Sequence, residues 1–155
     1  MPASAMLLSL VGLAPFVWCG LGALGPNPAS ADPMLQLLIG WGAVVLAFIG
    51  GLQWGLVMRE PETDARVRDT RIGLGVLPLL AAWLALVLRV VAASWLALLL
   101  LIAAFGAALV IDHYSRRGTK LPGRYLWVRW TFTAVATAML ITVLVLRLLE
   151  QTISF

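Results

Sequence analysis

An all-α, polytopic integral membrane protein built as a five-helix bundle is predicted by three features of this chain. Of its 155 residues, 62% are hydrophobic and only 12% charged, and the mean hydropathy of +0.99 is far above that of a water-soluble domain. Marking the charged residues leaves five apolar runs, at roughly 5–25, 33–58, 72–90, 92–111 and 124–148, each close to the ~20 residues a spanning helix needs. Most of the basic residues fall in alternate connections between these runs or just inside the helix that follows. Together the runs fill the chain, which reads as a single helical membrane domain over residues 1–155.

The first run carries Pro15 near its middle and Gly12 one turn earlier. Proline lacks an amide donor and crowds the preceding turn, so a kink is expected there. Ala29-Ser30-Ala31 has the look of a signal-peptidase site. No Lys or Arg precedes the run, however, and the run is longer than a signal core, so the helix is read as retained. Cys19 is the one cysteine and has no partner for an internal disulfide.

The connection Gly25 to Pro33 is dense in turn formers. Its prolines and Asn27 stop the first helix, Asp32 is placed to cap the second, and Pro33 suits a first helical position. Along the second run Ala43, Ala47, Gly51 and Gly55 are each four residues apart and form one row of small residues. In lipid such a row lets another helix backbone come close, because association there rests on packing and not on water exclusion. Gln53 lies on roughly the opposite side, a polar group that hydrocarbon penalises unless it finds an interhelical partner.

Residues Arg59 to Arg71 carry four acids and four bases. Glu62 with Arg66 and Asp64 with Arg68 have helical ion-pair spacing, which suits a short surface helix as well as a solvated loop. The third run contains Pro78 after Gly73 and Gly75, a second expected kink. It meets the fourth run so tightly, around Arg89 to Ser94, that the two must form an antiparallel hairpin. Between the fourth and fifth runs Arg116, Arg117, Lys120 and Arg124 face only Asp112 as a counter-charge. Such a cluster attracts anionic lipid headgroups at ~1 kcal/mol per base, or simply enforces topology. Tyr125, Trp127 and Trp130 read as an interfacial belt as the fifth helix enters the membrane. Arg129, about a turn deep, either snorkels to the headgroups or pairs with Asp112 at matching depth.

Nine of the eleven basic residues fall in these two connections or just inside the helix that follows; only Arg89 and Arg147 lie at the opposite ends. Both basic connections must share one side, and the charge asymmetry makes it the cytoplasmic side of an inner membrane. The N-terminus is then inside and the C-terminus outside. The same distribution explains the high isoelectric point without a nucleic-acid partner.

Trp18, Trp41 and Trp83 each lie seven or eight residues from the outer end of their run, roughly 10–12 Å deep at 1.5 Å per residue. One layer of indoles could line an apolar pocket for a quinone, lipid or pigment, fill a core or face lipid. His113 is the only histidine, and no further ligands accompany it. Asp112, His113 and Tyr114 are neighbours that point about 100° apart on a helix and make no catalytic arrangement. No paired intramembrane carboxylates, phosphate loop or activated nucleophile is visible. No catalytic, metal or cofactor residues are therefore expected.

Several segments resemble an uncharacterised bacterial membrane protein family, a domain-of-unknown-function family that includes the mitochondrial transmembrane protein 69. They are Trp41 to Gly55 with its Gly50-Gly51-x-x-Trp54-Gly55 run, Val76 to Trp83 around Pro78, and Asp112 with Leu121-Pro122-Gly123-Arg124-Tyr125 and Arg129. The likeness runs over roughly 35–140 and departs from the family at Gln53 and Gly123. It implies a multi-span inner-membrane protein and brings no reaction or cofactor. The expected function is that of a non-catalytic accessory subunit or assembly factor of a larger membrane complex, working through helix contacts with other membrane proteins. The alternative is a binder or carrier of a small apolar ligand in the tryptophan layer.

Overall fold

The computed structural model describes residues 3–58, 65–115 and 123–153. Among them the chain forms five helices and no strand: α1 (Ala3–Ala23), α2 (Pro28–Met58), α3 (Ala65–Val91), α4 (Ser94–Ser115) and α5 (Gly123–Ile153). The stretches Ala29–Gly55, Arg68–Val91, Ser94–His113 and Val128–Leu149 are each long and apolar enough to cross a membrane. The 21-residue α1 contributes a shorter apolar helix, Val11–Ala23.

Two helix starts differ from the sequence expectation. The second helix begins at Pro28, five residues before Pro33. Asn27 Oδ1 accepts the Ala29 amide at 3.1 Å, and the Asn27 carbonyl accepts the amides of Ser30 and Ala31 and the Ser30 hydroxyl. Asn27 is thus the cap and Pro28 the first helical residue, a position where proline's missing N–H costs nothing. Asp32, released from capping, pairs with Arg147 of α5 at 3.3 Å. The third helix begins at Ala65, so Arg66 and Arg68 belong to α3 itself; Glu62 and Asp64 lie outside the described residues. Thr70 lies exposed in this first part of α3 and returns its hydroxyl to the Arg66 carbonyl at 2.8 Å, within the helix. Pro15 and Pro78 both sit inside continuous helices.

The third and fourth helices are joined by Ala92 and Ala93 alone, with the Ala92 amide bonded to the Leu88 carbonyl and the Leu96 amide to the Ala93 carbonyl. One end of the bundle therefore carries the α1–α2 and α3–α4 turns and is called the turn end. The other, where α2 ends and α5 begins, carries Arg66, Arg68, Arg71 and Arg129 and is called the basic end. The second helix is central, packing on α1, α3 and α4, while α5 closes the ring between α4 and α1. The core is apolar and aromatic: Phe16 meets Phe105 and Phe132 edge to face at centroid distances of 6.2 and 6.1 Å, and Leu38, Leu46 and Leu140 are fully enclosed.

The tightest helix contact is between α2 and α3. A Cβ built on Gly50 would stand 2.5 Å from the Gly75 carbonyl oxygen, and one on Gly75 would stand 2.7 Å from the Trp54 indole. Both positions must lack a side chain for the backbones to approach so closely. Trp54 lies across the gap and donates its Nε1–H to the Ile72 carbonyl at 3.0 Å.

Candidate functional site at the basic end

A buried polar cluster joins three helices near the basic end. Gln53, on the third-last residue of the apolar stretch of α2, donates its Nε2–H to Asp112 Oδ1 of α4. The Nε of Arg129 on α5 faces Asp112 Oδ2 in an ion pair. All three side chains are nearly closed off, with 8% of Gln53, 9% of Asp112 and 10% of Arg129 exposed. The carboxylate is held by one neutral and one charged donor, the arrangement that makes a buried charge tolerable. Thr133, one turn further along α5 and 2% exposed, is the other buried polar side chain among the described residues. His113 is exposed beside the cluster. Among the described residues no group of three His, Cys, Asp or Glu side chains is placed to hold a metal. The cluster ties α2, α4 and α5 together through one buried carboxylate.

The row of small residues on α2 divides. Ala43 is buried in the core and Ala47 half-buried, whereas Gly51 and Gly55 are exposed and a Cβ on either meets nothing within 4 Å. The cause is helical pitch: each step of four residues advances about 40° around the axis, so three steps carry the row about a third of a turn, out of the core and onto the surface. The close packing expected of this row falls instead on Gly50. The exposed face that includes Gly51 and Gly55 continues with Val44, Phe48 and Met58, spaced alternately by four and three residues, as in a helix-packing seam.

The three deep tryptophans do not share one set of surroundings, and two of them take the outward-facing reading. Trp18 is 74% and Trp83 62% exposed on the outside of the bundle. Only Trp41 turns inward, packing against the core and donating its Nε1–H to the Gly12 carbonyl at 3.1 Å. Equal depth fixes height along the axis and says nothing about rotation around it. Of the proposed headgroup residues, Arg116, Arg117 and Lys120 lie outside the described residues, and of Arg124 only the backbone is described.

The turn end holds a feature that the sequence hardly marks. A cavity of about 310 Å³ opens among Asp32, Leu35, Ser94, Trp95, Leu98 and Arg147, with Ala92, Ala93 and Leu148 completing the wall. The available signal was the isolation of Arg147 and Asp32, a base and an acid near matching ends of α5 and α2.

Over 93 residues the chain is 34% identical to transmembrane protein 69 of Xenopus tropicalis, a match that covers 57% of this chain and 34% of that protein. The chain thus spans about a third of the length of this relative. No solved structure matches it. The long apolar helices and the named relative together support a multi-pass membrane protein. The model of the family described as protein of unknown function, DUF3429, matches residues 1–145, and the chain belongs to that family.

Proposed function

We propose that the protein is a non-catalytic accessory subunit or assembly factor of the inner membrane, with five spans and its N-terminus on the cytoplasmic side, that acts through lateral helix contacts. The observation that carries this reading is the open face of α2. Gly51 and Gly55 stand at the surface with free space above them, between the exposed Phe48 and Met58. A helix brought against that seam would approach the backbone closely, as lipid-embedded pairs do. The buried Gln53–Asp112–Arg129 cluster fastens the same helix to α4 and α5 from the other side, so the open seam is presented on a fixed support. The alternative of an apolar ligand among Trp18, Trp41 and Trp83 has less support, since two of the three indoles face outward.

The test is native electrophoresis of the protein tagged at its own locus and extracted in mild detergent, with mass spectrometry of each slice, for wild type and for Gly51→Leu and Gly55→Leu. The expected result is co-migration with a larger membrane assembly that both variants lose while the protein stays folded and abundant. A wild-type protein that runs alone, or variants that keep the assembly, would overturn the proposal.

A further inference from the structure

The cavity at the turn end combines three features. The first is an incompletely satisfied cation. Arg147 Nη2 stands 3.3 Å from Asp32 Oδ1, yet neither Nη2 nor Nε, both buried, makes a hydrogen bond. Guanidinium presents five N–H donors in a planar fork suited to two oxygens of one anion, and Asp32, 61% exposed at its side chain, lies against that fork at Nη2. The second feature is further donors on the same wall: the Ser94 hydroxyl, and the start of the 22-residue α4 at Ser94, preceded by Ala93, whose methyl group cannot cap the first amides. The third is the setting. Leu35, Leu98 and Leu148 line the same space, and Asp32, Trp95 and Arg147 fall within a few residues of the ends of three membrane-length apolar stretches. A donor-rich cavity with an apolar floor at that depth lies where headgroup gives way to acyl chain, and its volume is that of a small-ligand site.

We propose that this cavity binds a phosphate-bearing anion, held by Arg147 and Ser94, with the phosphate of a membrane phospholipid headgroup and free inorganic phosphate as the two sources of that chemistry. Asp32 competes for the guanidinium and weakens the site. The site is separate from the α2 seam and rests only on the reading that the helices lie in a membrane, which carbonate extraction of membranes tests by itself.

The experiment uses the full-length protein purified in mild detergent and read by native mass spectrometry and thermal unfolding, with phosphatidylglycerol, phosphatidylcholine or inorganic phosphate added. Arg147→Gln removes the charge. Ala93→Phe fills the cavity while leaving Arg147 and Asp32 in place, and Asp32→Asn removes the competitor. Affinity for the phosphate-bearing probe is expected to fall about tenfold or more in Arg147→Gln and Ala93→Phe, the loss of a charge-assisted hydrogen-bonded contact, and to rise in Asp32→Asn. Retained phospholipid that inorganic phosphate does not displace identifies a headgroup site; a melting shift with inorganic phosphate and no retained lipid identifies a free-anion site. Binding of neither, or binding that Arg147→Gln and Ala93→Phe both leave unchanged in folded protein, overturns the proposal. So does lipid retention lost only on neutralising Arg116, Arg117 and Lys120.

Discussion

The adjacent glycines Gly50 and Gly51 provide a sharp test of the packing. Replacing each with alanine adds one methyl group to the same helix at consecutive positions, so the intrinsic helix preference changes equally. At Gly50 the new Cβ would lie 2.5 Å from the Gly75 carbonyl oxygen, about 0.9 Å inside the 3.4 Å at which ordinary contact begins. The obstacle is backbone, with Pro78 Cβ a further 3.5 Å neighbour, so no side-chain rotation relieves it and α2 and α3 must separate. Overpacking of this kind costs ~1–3 kcal/mol, against which alanine returns up to ~1 kcal/mol of helix preference. At Gly51 only the favourable term remains, because a Cβ there meets nothing within 4 Å. Reversible unfolding of the purified protein in mixed micelles, followed by tryptophan fluorescence, should show Gly50→Ala destabilised and Gly51→Ala unchanged or slightly stabilised. Trp54 reports on the contact directly, since it bridges to Ile72 across the same gap, and its emission should shift only in Gly50→Ala. Equal effects at the two positions would refute the assignment of Gly50 to the α2–α3 contact.

The polar cluster and the α2 cap give two further expectations. Asp112→Ala removes the ion-pair partner of the buried Arg129 and should cost ~3–5 kcal/mol, whereas Gln53→Leu, which removes one interhelical hydrogen bond, should cost ~1 kcal/mol; the same micellar unfolding assay ranks them, and Arg129→Leu combined with Asp112→Leu should recover part of the loss. Asn27→Ala should cost ~1 kcal/mol through the lost cap and Asp32→Ala no more than ~1 kcal/mol, since the Asp32 side of its ion pair is mostly exposed; a larger loss in Asp32→Ala would return the capping role to Asp32.

Length and hydropathy made the architecture legible, and rotation about each helix axis was not. Five apolar runs with bases in alternate connections lead to five antiparallel helices because both signals act along the chain. Nothing comparable marks which side of a lipid-embedded helix faces its neighbours, since core and lipid are both apolar. The identity of the packing glycine, the outward turn of Trp18 and Trp83, and the drift of the Ala43 row onto the surface all depend on that missing angle. The start of α2 was misplaced for a different reason: the segment holds two Asx–Pro-type starts, Asn27-Pro28 and Asp32-Pro33, and local chemistry ranks them equally. Tertiary structure decides, because Asp32 has Arg147 to meet and Asn27 does not. Charged residues were the most informative within the spans, since an acid and a base at matching depth, Asp112 and Arg129, have few places to go but to each other.

The order in which the buried cluster is completed has a consequence for biosynthesis. Gln53 bonds to a residue 59 positions later in the chain, so when α2 leaves the ribosome its polar side chain has no partner. At ~5–20 residues per second, Asp112 follows only after about 3–12 s, and Arg129 must arrive before the new carboxylate is neutralised. The nascent chain therefore carries first Gln53 without Asp112 and then Asp112 without Arg129. The three helices that share the cluster can settle only as a group, once the last of them has emerged.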